Sequence, residues 1–227
     1  MTEIKVCGIT SLAQALHAAA CGVDALGFIF HPPSPRVVTP ELVRQIVAAL
    51  PRRVLTVGVF VNERAETVRQ IVGFCGLDLA QFHGDESPEY CRQFDPAAVI
   101  KAVPPAIASD SAALERYRVH ALLLDARDSS RYGGTGTTVD WKLAAQLARH
   151  YPLILAGGLT ADNIGAALAA VRPQAVDLNS GVETAPGQKD PAKLALLVRL
   201  IRAHDALFPM AEHPLLVRPS VSLGDAE

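Results

Sequence analysis

The sequence predicts an α/β protein, a single-domain (β/α)8 TIM barrel, on three observations. Eight short apolar runs alternate with helical stretches along the 227 residues, and strands that alternate with helices pair in parallel. Several runs are apolar at consecutive positions, as strands covered on both faces read. A closed barrel of this kind typically takes about 250 residues, with about 200 near its lower limit, so this one would carry little decoration. The rival is an open doubly wound sheet, which usually has a glycine-rich turn after its first strand; here that place holds only "CGIT", from Cys7.

The first strand is "EIKVC", ending at Cys7. Ser11 then opens S-x-x-Q with Gln14, a capping box, and Leu12, Ala15, Leu16 and Ala19 follow at helical spacing. The second strand, "VDALGFIF", leads into the proline-rich "HPPSPR". Thr39 and Pro40 start the next helix, with Leu42, Val43, Ile46, Val47 and Leu50 along one face. Proline fits the first helical position because its missing N–H has no helical partner there. "VLTVGVFV" and "LDLAQFH" are the third and fourth strands, the latter followed by the Ser87-Pro88 start signal. "AVIKAV", "HALLLDA", "LILAG" and "AVDLNS" complete the eight. Asp190-Pro191 opens the last helix, with Leu194, Leu197, Leu200 and Ile201 in a stripe. The barrel is expected over residues 1–208. Residues 209–227, with Pro209, Pro214 and Pro219 and no sustained periodicity, read as a flexible extension; within it "PLLV" is the alternative, a small docking segment.

Composition narrows the function. Lys plus Arg number 21 and Asp plus Glu 23, a net charge of −2 without a long basic run, so neither nucleic acid nor an anionic membrane is an expected partner. No apolar stretch reaches transmembrane length, and the N-terminus lacks a signal pattern. Cys7, Cys21, Cys75 and Cys91 form neither C-x-x-C nor a zinc spacing. Free thiols in a reducing cytoplasm are the expectation.

In such a barrel the active site lies at the C-terminal strand ends. Strands seven and eight end in "LAGGLT" and "DLNSGVE". Gly157 and Gly158 let backbone N–H groups approach an anion. Ser180 and Glu183 form S-x-x-E, a capping box that would start a short helix at Gly181 and aim its free N–H groups at the same spot. The pattern points to a phosphate cradle, against two ordinary glycine turns. "GGTGTT", Gly133–Thr138, lacks the lysine of a P-loop, since Thr137 stands there, and the third glycine of a dinucleotide fingerprint, since Val139 does. It is read as a flap over the site or a plain surface loop.

Cys7 ends strand one and Asp125 ends strand six. Buried structural roles are commoner for cysteine, and Cys21, Cys75 and Cys91 take that reading. A thiol with a pKa of about 8.5 is a few per cent ionised at neutral pH, and dipoles or a nearby cation would lower that value into a base's range. Asp125 either caps a turn or acts as a general acid held protonated by burial. Arg36, in its rigid loop, is suited to a two-point grip on a carboxylate. Gln81 and His83 share a strand face; a lone histidine is more often structural, and nothing beside it suggests a metal. Lys5 and Lys101 lie in strands, suited to a Schiff base or to plain electrostatics.

Taken in order, "KVCGIT", "LGFIF…SPR", "VGVFVN", "QFHGDE", "LLLDA", "YGGTG", "DW", "LAGGLT" and "DLNSGVE" resemble the phosphoribosylanthranilate isomerases of tryptophan biosynthesis, from Ile4 to about Leu200. The resemblance implies a cofactor-free, metal-free Amadori rearrangement of N-(5-phosphoribosyl)anthranilate to 1-(o-carboxyphenylamino)-1-deoxyribulose 5-phosphate. It makes Cys7 the general base, Asp125 the general acid and Arg36 the holder of the anthranilate carboxylate. Gly157, Gly158, Ser180 and Gly181 match the phosphate site, and Gln81, His83 and Asp177 match pocket positions. The implied partner is a small phosphorylated molecule; monomer and homodimer both stay open. Phe82 replaces an aliphatic residue common in the family, a packing change. The alternatives are another phosphate-binding barrel enzyme and a sugar-phosphate-binding barrel without catalysis. A synthase of this fold would want lysine and glutamate at several strand ends, and an epimerase would want metal ligands.

Overall fold

A computed structural model of the chain describes residues 1–125, 141–209 and 214–219. Eight parallel strands close into a barrel in chain order: β1 Glu3–Cys7, β2 Ala25–Ile29, β3 Leu55–Phe60, β4 Leu79–Phe82, β5 Val99–Val103, β6 Ala121–Asp125, β7 Leu153–Ala156 and β8 Ala175–Leu178. After β8 come a short antiparallel pair, β9 Glu183–Ala185 and β10 Gln188–Lys189. The helices are α1 Leu12–Ala20, α2 Pro40–Ala49, α3 Ala65–Cys75, α4 Pro88–Cys91, α5 Pro105–Ala108, α6 Ser111–Leu114, α7 Trp141–Ala148, α8 Ile164–Val171 and α9 Pro191–Leu207. None is long and apolar enough to cross a membrane.

The expected caps form. Ser11, Thr39 and Ser87 each accept from a backbone N–H one turn into their helix, and Asp190 takes two. Strict alternation with full helices fails at two connections. α4 is a single turn, and β5 and β6 are joined by two single turns, α5 and α6. Aromatic packing covers the sheet where helix is missing: Phe82 meets Tyr90 and Phe94 at centroid distances of 5.1 and 4.9 Å. In α1 the buried face is Ala15, Ala18 and Ala19, while Leu12 and Leu16 are exposed. In α9 Leu194, Leu197, Val198 and Ile201 are buried, and Leu200 stands partly out.

Register decides which side chains enter the barrel, because matched residues of parallel neighbours share a face. Lys5 pairs with Asp177, Cys7 with Gly27, Val59 with Gln81, and Asp125 with Ala156. These positions line the interior. Lys101 pairs with Phe82, whose ring packs against the outer layer, so Lys101 lies outside the barrel.

The opposite end is capped by residues 214–219. Leu215 and Leu216 are buried, and their N–H groups donate to Glu3 Oε2. His120 bonds the Leu215 carbonyl, and Arg218 pairs with Asp78 at 3.0 Å. The stretch holding "PLLV" thus lies against the N-terminal strand ends, away from the mouth.

Candidate active site

Cys7 is the last residue of β1 and is 5 % exposed. Lys5, two residues earlier on the same face, is fully buried, and its Nζ donates to Asp177 Oδ2 at 2.8 Å. The same ammonium stands beside the Cys7 sulfur, and each acts electrostatically on the other. Both groups crowd Gly27, where an added Cβ would sit 2.9 Å from Cys7 Sγ and 3.1 Å from Lys5 Nζ. Only glycine leaves that room. Burial pushes the Cys7 thiol above its ordinary value, and Lys5 works against the rise. The expectation of a thiol lowered by a nearby cation is therefore corrected: the cation is present, but desolvation outweighs it. Burial works to lower the Lys5 pKa, yet Asp177 and Cys7 raise it above the ordinary value, so Lys5 is a fixed charge. That fits an electrostatic role rather than a Schiff base, which needs a neutral amine.

Across the mouth, Gln81 Nε2 lies 2.9 Å from His83 Nδ1. An amide nitrogen only donates, so in this orientation Nδ1 accepts and the imidazole proton sits on Nε2. That nitrogen faces Asp125 Oδ2 at 3.8 Å. Burial lowers the His83 pKa, with Asp125 and then Asp177 opposing. The Asp125 side chain is 36 % exposed, and the His83 imidazole is among its neighbours. Gln81 Oε1 and Asp177 Oδ1 are buried without a hydrogen-bond partner among the described residues, two acceptors that a bound molecule's hydroxyls would satisfy.

Arg36 does make a two-point contact, with Glu183. Its Nε and Nη2 donate at 2.9 and 2.6 Å to the two carboxylate oxygens. Glu183 also accepts from Lys189 Nζ at 2.8 Å and from the Gly187 N–H. Ser180 and Glu183 therefore do not form the expected capping box; two cations outcompete a backbone N–H for the carboxylate. The short helix expected to start at Gly181 is a single three-residue turn, Ser180–Val182, that begins one residue earlier. Lys189 went unnoticed in the sequence. Its signal is weak: a lysine ahead of Asp190-Pro191, with no periodicity to place it.

Gly157 and Gly158 take left-handed φ values of 90° and 65° at the end of β7. Gly181 packs against the Leu159 carbonyl so closely that a Cβ would overlap it. The two glycine loops after β7 and β8 thus meet, as a shared anion cradle requires. Asn163 ties the first of them, accepting from Thr160 N and donating to the Gly158 carbonyl. The "GGTGTT" stretch lies outside the described residues. The structure brings the other sequence-derived positions to one end of the barrel: Cys7, Asp125, Gln81, His83, Asp177, Arg36, Gly157, Gly158, Ser180 and Gly181. Cys21, Cys75 and Cys91 lie elsewhere, in or beside helices, and all four cysteines are free thiols.

Comparison with known proteins follows this geometry. A family model for N-(5'-phosphoribosyl)anthranilate isomerase matches residues 4–199. The chain is 50% identical over 207 residues to an N-(5'-phosphoribosyl)anthranilate isomerase of Syntrophus aciditrophicus, covering 91% of this chain and 90% of the relative. The crystal structure of phosphoribosyl anthranilate isomerase from Thermotoga maritima superposes with a TM-score of 0.79 at 38% identity, over 89% of this chain and 100% of that one. A second structure of such an isomerase, in complex with reduced 1-(o-carboxyphenylamino)-1-deoxyribulose 5-phosphate, gives 0.77 at 37% identity, with coverage of 89% and 100%.

Proposed function

The chain belongs to the N-(5'-phosphoribosyl)anthranilate isomerase family, and from that premise we propose that Cys7 is the general base and Asp125 the general acid of its reaction. The activity is the isomerisation of N-(5-phosphoribosyl)anthranilate in tryptophan biosynthesis. One arrangement supports the assignment above the others. Cys7 and Asp125 end two inward-facing strands at the same mouth, linked through Lys5, Asp177 and His83, whose charges act on one another.

The substrate carries an anion at each end. Its phosphate suits the loops after β7 and β8, where Gly158 and Gly181 leave backbone N–H groups accessible. Its aryl carboxylate suits Arg36. Two of the five guanidinium N–H groups go to Glu183, and the others have no acceptor among the described residues and suit the ligand. Between the ends, ring opening places a proton from Asp125 on the ribose oxygen. The resulting imine acidifies the neighbouring C–H, and the Cys7 thiolate removes that proton. The Asp177 and Gln81 oxygens that lack partners among the described residues accept ribose hydroxyls, and the His83 Nε2–H faces Asp125. Each acid–base role is worth roughly 10²–10⁴-fold in rate.

Decay of the anthranilate adduct's fluorescence on adding purified protein tests this function. Consumption at catalytic protein concentration is expected. Binding of the adduct without consumption would instead identify a barrel that only captures sugar phosphates.

A further inference from the structure

We propose that Lys5 is a positioning residue for the isomerisation: its buried ammonium, held in place by Asp177, is the counter-charge against which Cys7 becomes a thiolate. This rests on Cys7 being the base.

Among the described residues, the charged groups that act on the Cys7 sulfur include Lys5 on its own strand, Asp177 on β8, Lys189 on β10, and Arg36 in the loop after β2. Three of these are cations, and their burial and hydrogen bonds separate them. Lys189 spends its N–H groups on Asn179 O, Asn179 Oδ1 and Glu183 Oε1 at 3.2, 2.9 and 2.8 Å. Arg36 is committed to Glu183. Of the three, Lys5 is the one that is fully buried, stands with the sulfur against Gly27 and is held by one carboxylate oxygen. Gly27 completes the arrangement, since any side chain there would part the sulfur from the ammonium.

The chemistry needs such a device. A thiol in a dry pocket resists ionisation because burial penalises the charged form. An ammonium two residues away, kept charged by Asp177, is a fixed positive pole that does not reorganise when the thiol's proton leaves to solvent. Asp177 weakens this help by its own negative charge, but Lys5 acts on the sulfur more strongly than Asp177 does. Asp177 thus has a second duty beside the oxygen it turns to the ligand: it prevents burial from neutralising Lys5.

The test is an ultraviolet thiolate titration, differenced against matching Cys7→Ser proteins, alongside the pH profile of kcat/KM. The proteins are wild type, Lys5→Met and Lys5→Met/Asp177→Asn. The double variant removes the carboxylate that the single variant strands, so it keeps the test readable if the single variant does not fold. Thiolate formation should move up by roughly one to three pH units, and the acid limb of kcat/KM should move up with it. An unmoved thiolate titration in the double variant overturns the role of Lys5. A titration that moves while the acid limb stays overturns Cys7 as the base, and the role of Lys5 with it.

Discussion

Arg36 and Glu183 form a two-point ion pair, 2.9 and 2.6 Å long, that crosses from the loop after β2 to the start of β9. It fixes the plane of the guanidinium before any ligand arrives, and preorganised donors lose less on binding. Arg36→Met should therefore weaken binding of the anthranilate end by about 1.5–3 kcal/mol, the range for a hydrogen bond to a charged group. Affinity for a simple sugar phosphate should hardly change. Calorimetry with both ligands checks this; equal losses would put Arg36 at the phosphate instead.

Glu183 should contribute to acid sensitivity. Burial works to raise its pKa, but the bonds from Arg36 and Lys189 prevail and hold the carboxyl below its ordinary value. The stability it contributes is present above the unfolded carboxylate's pKa and is lost as pH falls through the lower folded value. Thermal melts across that window should fall more steeply for the wild type than for Glu183→Gln. Parallel curves would mean that the carboxylate titrates alike in both states.

Lys101 is the second fully buried lysine, and it holds loops rather than chemistry. Its Nζ donates to Glu86 Oε2 at 2.9 Å and to the Phe82 and Gly84 carbonyls, while Glu86 also accepts from the Asn62 and Gly84 N–H groups. Lys101→Met strands Glu86 in the interior and should cost about 3–5 kcal/mol, read by urea unfolding. A loss under about 1 kcal/mol, the worth of a surface pair, would show the pair to be solvated.

Residues 214–219 should stabilise without touching turnover, because they cap the end opposite the site. Burying two leucines is worth about 1.5–3 kcal/mol each before ordering costs. A chain ending at residue 209 should melt at least 2–4 °C lower, the shift expected for about 1 kcal/mol in a chain of this size, with kcat unchanged. A lowered kcat would tie the segment to the mouth.

Much of this was legible in the sequence because barrel strands are covered on both faces and read as continuous apolar runs, "HALLLDA" above all. The strand-end rule then led to Cys7, Asp125 and the glycine loops without knowledge of their contacts. What escaped were long-range pairings of charge. Lys5 and Asp177 are 172 residues apart in the chain, and Arg36 and Glu183 are 147 apart. The local pattern S-x-x-E cannot know that two cations converge on its glutamate. The single-turn connections after β4 and β5 escaped for a similar reason, since aromatic side chains supply cover that periodicity assigns to helices.

The most direct test of the acid–base pair is turnover of the Cys7→Ser protein, with Asp125→Asn beside it and binding of the reduced product measured for both. Turnover should fall at least a hundredfold in each, within the usual worth of one acid–base group, while the analogue still binds. Wild-type turnover by either variant would contradict the assignment of that residue.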